Sequence, residues 1–224
     1  MTLRLSQVSP CDDARVQGLT FRQAATTDRD RVFAILYDHP PREVVAVAGD
    51  IERARKIGRI IVRAGAAVRF DCTVLADVHG EAVGLIETVV RGQPLTGGAV
   101  VMMARVLGGG ALMVGLPGAV RFLRWRSARS RVEVQRPLGS YYIAELAVHA
   151  TWRNRGIGGA LLAHAEERAR AYGHKQMSLH TATDNPAQRL YRRQGFRVVE
   201  TRLDATYERI TGIPGRVLMV KDLA

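Results

Sequence analysis

Lysine is nearly missing from this chain: of 33 basic residues only Lys56, Lys175 and Lys221 are lysine, and the rest are arginine. Cysteine is scarce as well. Cys11 and Cys72 stand far apart and fit neither a metal-ligand nor a redox spacing, which excludes a disulfide framework as the organising element. The N-terminus lacks a basic start followed by an apolar run, so no secretory signal is expected and a reducing cytoplasm is the simplest home. No internal repeat stands out. One long apolar run exists, Ala99 to Val120, long enough to span a bilayer. Arg105, the triplet Gly108-Gly109-Gly110 and Pro117 interrupt it, so no membrane span is expected. What remains is 47% hydrophobic and 24% charged over 224 residues, a soluble globular composition with enough chain for a good core. The net charge of +12 is spread along the chain rather than gathered on one stripe. That distribution favours anionic ligands over nucleic acid.

Residues 1–17 read as a flexible polar extension, and 18–224 as one domain. Leu19 to Arg22 reads as a strand. Thr27 caps a predicted helix through Val32, Ile35 and Leu36 that stops at His39-Pro40-Pro41. Apolar residues at helical spacing predict one further helix from Glu43 to Arg63. Cys72–Val78 and Ala82–Val90 read as a hairpin turned at Gly80. Residues 92–139 are a helical insertion, with two short helices broken at the Gly triplet and an Arg-rich end. Tyr141–Val148 is apolar on both faces, as expected of a buried central strand. A helix Ile157–Ala171, a strand Gln176–Thr181, a helix Ala187–Arg193 capped by Asn185, and strands Phe196–Glu200 and Val217–Val220 follow. This order predicts an α/β fold, a mixed sheet covered by helices.

Chemistry concentrates where the central strand meets the next helix. Arg153-Asn154-Arg155-Gly156-Ile157-Gly158-Gly159-Ala160 opens that helix. A helix start leaves backbone N–H groups unpaired, its dipole favours an anion, and glycine admits close approach. Two arginines add charge, so a pyrophosphate is the ligand this loop suits. A glycine-rich turn with no ligand is the bland alternative. The string lacks both the dinucleotide G-x-G-x-x-G pattern and the Gly-Lys-Ser/Thr of a P-loop.

The stretch Glu145 to Leu162 resembles motif A of the GNAT acetyltransferases, whose core is Arg/Gln-x-x-Gly-x-Gly/Ala; Arg153, Gly156 and Gly158 fit it. Downstream, Asn185-Pro-Ala-Gln-Arg-Leu-Tyr191 through Gly195-Phe196 is similar to the family's second motif. The motifs cover about residues 141–200, and the insertion resembles that of a branch of bacterial members. The resemblance implies a mostly antiparallel sheet with a parallel pair at the cofactor site and helices on both faces. It implies acetyl-CoA as cosubstrate, no metal, and a primary amine, small molecule or peptide, as acceptor. Arg153 to Ala160 would hold the pyrophosphate. Leu146, Ala147 and Val148 would line the pantetheine, with Leu146 N–H at the acetyl carbonyl as an oxyanion donor. Asn185 would touch the same arm, and Tyr191 would protonate the departing thiolate. His180 is the leading general base with Tyr142 holding a water, and a structural histidine is the equal alternative. Glu145 is the runner-up; strand alternation points it away from Tyr142 unless a bulge intervenes. His149 and His164 are expected to face solvent. A homodimer is one open assembly state. Two rival readings stand beside the enzyme: a CoA-binding module without turnover, and a membrane or nucleic-acid partner acting through Arg121, Arg124, Arg126, Arg129, Arg131 and Arg136 with Trp125. Residues 97–130 form either a lid over the acceptor pocket or an assembly surface.

Overall fold

The computed structural model describes residues 16–63, 69–89 and 111–223, with the backbone alone over 111–115. Strands β1 (Leu19–Gln23), β2 (Thr73–Val78), β3 (Glu81–Val89), β4 (Tyr141–Val148), β5 (Gln176–Ala182), β6 (Arg197–Leu203) and β7 (Gly215–Asp222) make a seven-stranded sheet in the order β1-β2-β3-β4-β5-β7-β6. Every neighbouring pair is antiparallel except β4 and β5. The β2–β3 hairpin turns through His79 and Gly80, whose φ values of 52° and 83° are the left-handed pair that a tight hairpin turn requires.

Helices α1 (Arg29–Tyr37), α2 (Arg42–Ala48), α3 (Ile51–Arg63), α4 (Ala111–Val132), α5 (Ile157–Ala171), α6 (Gln188–Arg193) and α7 (Ala205–Thr211) cover both faces. On one face α5 and α6 bury Ile157, Leu161, Leu162 and Tyr191 against Ile86, Ile143, Leu179 and Met219. On the other, Val32, Ile35 and Val62 of α1 and α3 pack on Leu75 and Leu85. Ala128 and Val132 of α4 meet Tyr207 of α7 on that same side.

The predicted helix from Glu43 to Arg63 is two helices. Gly49 takes a φ of 99°, which ends α2, and the Asp50 carboxylate accepts from Arg53 N at 2.8 Å, which starts α3. Helix α7 is not foreseen from the sequence. Asp204 caps it by accepting from Tyr207 N at 2.7 Å, and Gly212 ends it at a φ of 68°. Within the insertion, residues 90–110 lie outside the described residues, so the predicted first helix and the break at Gly108-Gly110 do too. From Ala111 the chain is one helix of 22 residues that runs through Pro117. Among the described residues no helix is long and apolar enough to cross a membrane.

Candidate active site

The parallel pairing of β4 with β5 is short. Tyr141, Tyr142 and Ile143 pair with Met177, Ser178 and Leu179, and beyond Ile143 the two strands part. Tyr141 and Ile143 are therefore buried, whereas Ala144 and Glu145 are exposed, which departs from the uniformly buried strand expected. His149 N–H donates to Val83 O on β3 at 2.9 Å. Backbone direction alternates along a strand, so Ala147 also turns to β3 while Leu146 and Val148 present their N–H and C=O to the gap. Ala147, expected among the cofactor contacts, thus turns the other way, and it packs beside Leu85 instead.

The gap ends at the start of α5. Asn154 and Gly156 both hold positive φ, 59° and 79°. A side chain on Gly156 would meet nothing within 4 Å, so the space before the helix is open. Helix α5 has no side-chain cap and no acid in its first turn. Its first helical bond is Ala160 N to Gly156 O at 3.0 Å, leaving the N–H groups of Ile157, Gly158 and Gly159 facing the opening. Gly158 has a different reason from the one read in the sequence: a Cβ there would come 3.1 Å from Leu190 of α6, so it serves helix packing. Arg155 lies over the Trp152 ring at 4.8 Å, and Arg153 Nε donates to Val148 O at 3.1 Å. Both arginines are exposed.

Beside the gap, titratable groups gather on one face of the sheet. Residues paired in register share a face, which places Glu87 with Glu145, Val89 with Tyr142 and Ser178, and Ala182 with Arg216. The β3–β4 register skips Ala144. This bulge turns Glu145 to the side of Tyr142, against the simple alternation. Tyr142 hydroxyl and His180 Nδ1 are 3.2 Å apart, and His180 Nε2 lies 2.8 Å from Val134 O. A carbonyl only accepts, so Nε2 carries the proton and Tyr142 donates to Nδ1. Burial first, then the charge of Arg216, lowers the His180 pKa, keeping the ring neutral. Glu145 is open to solvent, yet surrounding protein desolvates it and pushes its pKa up to about 6. Glu87, missed in the sequence, lies directly across from it and is 8% exposed. Burial, with the Glu145 charge adding, pushes it up to about 7, while Arg69 N–H donating at 3.2 Å works against the rise. Only strand register identifies Glu87, and register is not written in one strand alone.

Arg216 is held by Glu43, which accepts from Arg216 Nη1 at 2.9 Å, from Arg129 Nη1 at 2.7 Å and from the Tyr207 hydroxyl. Arg216 Nε is buried with no partner among the described residues. On the opposite face Tyr191 is 7% exposed and packs edge-on to Phe196, its hydroxyl unbonded among the described residues. Burial and then the charge of Glu145 raise its pKa. Asn185 donates to Thr181 Oγ1 at 2.7 Å and accepts from Ala187 N at 2.9 Å, so it caps the turn but α6 begins only at Gln188. One amide N–H and one lone pair of its oxygen stay available for a further contact. His149 and His164 are half-buried rather than solvent-facing, and His164 stacks on Phe21 at 4.7 Å. Among the described residues no three His, Cys, Asp or Glu side chains form a metal-holding group.

Residues 62–196 match the acetyltransferase (GNAT) family model. Over 61 residues the chain is 43% identical to GCN5-related N-acetyltransferase 6, chloroplastic, of Arabidopsis thaliana, a match covering 27% of this chain and 21% of that protein. The chain therefore matches about a fifth of that relative's length. Ard1 from Thermoplasma volcanium superposes with a TM-score of 0.52 at 16% identity, over 92% of this chain and 99% of that one. The ribosomal-protein-S18-alanine N-acetyltransferase from Escherichia coli gives 0.52 at 15%, over 92% and 94%. At these identities the likeness is one of fold.

Proposed function

Because the chain belongs to the GNAT acetyltransferase family, we propose that it moves an acetyl group from acetyl-CoA to a primary amine by direct attack in a ternary complex. The observation that carries this reading is the parting of β4 from β5 beside an uncapped helix start. It leaves a line of backbone groups without strand partners, from Leu146 and Val148, whose carbonyl only Arg153 meets, to the N–H groups behind Gly156, which suits an extended polar arm ending in a pyrophosphate. Acetyl-CoA supplies an activated acetyl thioester. Arg153 would leave Val148 O and, with Arg155, face the phosphates. Leu146 N–H would donate to the charge that builds on the acetyl oxygen. Glu145 would accept the ammonium proton, since a carboxylate raised to about 6 is a stronger base than an ordinary one. A second route is favoured by the Tyr142–His180 hydrogen bond, in which the proton passes through the Tyr142 hydroxyl to His180 Nδ1. Tyr191, which like any phenol is protonated at neutral pH, would hand its proton to the leaving thiolate.

Calorimetry with acetyl-CoA tests the cofactor half. Gly156→Asp adds strain at a positive φ and a carboxylate at the helix start, and affinity should fall by roughly 100-fold or more. Unchanged affinity in the folded variant would remove the reading. An acetylation screen over amines and peptides, read by mass spectrometry, tests the acceptor half.

A further inference from the structure

Helix α4 carries two kinds of arginine. Arg121 donates to Val47 O at 3.0 Å and Ala48 O at 3.2 Å, Arg129 pairs with Glu43 and Glu133, and Arg131 pairs with Asp204. Arg124 and Arg126 point outward, exposed and with no hydrogen bond or ion pair among the described residues. Between these two lies an apolar stripe: Leu116, Val120 and Leu123 are 80%, 46% and 64% exposed. Their spacing of four and then three puts them on one line along the helix. At about 100° per residue Arg124 falls on one flank of that line and Arg126 on the other. Residues 111–132 contain no acid, and the sequence leading into them, residues 99–110, is apolar with one more cation, Arg105.

We propose that this face of α4 docks on an anionic lipid surface. The transferase reading does not require it, and it does not require the transferase reading. Three other occupants fit the chemistry less well. A second copy, paired about a twofold axis, would bring the same outward arginines together on two chains that each carry a net charge of +12. Nucleic acid would engage the arginines but leave three large aliphatic side chains against water or phosphate. A neutral bilayer would take the stripe and gain little from the cations. An anionic headgroup layer satisfies both parts. Leu116, Val120 and Leu123 enter the acyl boundary, while Arg124 and Arg126 lay their stems along its edges and reach lipid phosphates. Docking is peripheral, since α4 is not apolar enough to cross. The inner side of α4 holds Glu43 through Arg129, and Glu43 holds Arg216 on the face that carries Glu145. A docked α4 therefore sets that face close to the lipid surface.

Flotation of the full chain with vesicles of phosphatidylcholine, alone or mixed with phosphatidylglycerol, tests this. Binding is expected to the mixed vesicles only and should weaken as salt rises. Leu116→Ser, Val120→Ser and Leu123→Ser together leave charge unchanged and should reduce partitioning by at least roughly tenfold. Arg124→Gln with Arg126→Gln should reduce it about 25-fold, near fivefold per cation. All five positions are solvent-facing, and circular dichroism confirms that each variant is folded. No binding to mixed vesicles overturns the proposal. So does binding that the triple serine variant leaves intact, because diffuse charge then explains it. A wild-type dimer that the serine variant converts to monomer assigns the face to a second copy. DNA binding lost in the arginine variant, without vesicle binding, assigns it to nucleic acid.

Discussion

Glu145 and His180 differ in how much freedom each retains to take a proton. His180 spends both ring nitrogens on Val134 and Tyr142, and burial disfavours its charged form. Glu145 is open, carries no side-chain ion pair among the described residues, and stands opposite a second carboxylate, Glu87. The Glu145 charge adds to the burial that dominates the Glu87 shift, and burial with the Glu43 charge raises Glu145 against the pull of Arg216. If Glu145 is the base, activity should rise with pH through an acidic limb near 6, as the carboxylate forms. Glu145→Gln should remove that limb and slow turnover by about 10²–10⁴-fold. His180→Gln should keep the limb and alter chiefly the rate. If the limb survives Glu145→Gln and disappears in His180→Gln, the proton route runs through Tyr142 instead.

The packing of α1 against α3 depends on a missing side chain. A Cβ on Gly58 would come 2.3 Å from the Tyr37 ring, which is 8% exposed and stacked on Phe33. Alanine favours helix by about 1 kcal/mol over glycine, but overpacking a fixed aromatic costs about 1–3 kcal/mol. Gly58→Ala should therefore destabilise the protein in a denaturant titration; a rise in stability would show that Tyr37 swings aside freely. Elements of this kind mark where sequence stops informing. The His79-Gly80 hairpin, the bounds of α5 and the loop at Gly156 are legible because each rests on local turn or capping chemistry. The Gly49-Asp50 break is local too, but helical spacing runs straight through it from Ala48 to Ile51 and hides it. The bulge at Ala144 has no local signal at all, since it exists only relative to β3. Without it Glu145 reads as facing away from Tyr142, and Glu87 draws no notice.

Across the whole molecule, half-buried Glu43 and buried Glu87 are carboxylates with opposite fates. Glu43 joins α2 to α4, α7 and β7 through Arg129, Tyr207 and Arg216. Burial alone would raise its pKa, but the two guanidinium charges win and hold it below the ordinary value. Its stabilisation is thus present above about 4.5, the unfolded value, and is lost as pH falls through the lower folded value. Glu87 feels the charge of Arg69, which pairs with Asp71 instead, and burial wins: it is pushed up to about 7, so the folded chain favours its neutral form. Its contribution is full below about 4.5 and is lost as pH rises through about 7. Replacing each by glutamine isolates these terms. Glu43→Gln leaves Arg216 without its carboxylate and Arg129 with Glu133 alone, and should cost on the order of 3 kcal/mol at neutral pH, a deficit that shrinks in acid. Glu87→Gln keeps the shape and removes the charge, so it should gain on wild type as pH rises from about 5 to about 8. The checking measurement is the melting temperature of both variants against wild type across that range and below it. Parallel curves for wild type and Glu87→Gln would mean that the carboxyl is ionised at little cost, and that burial does not outweigh Arg69 there.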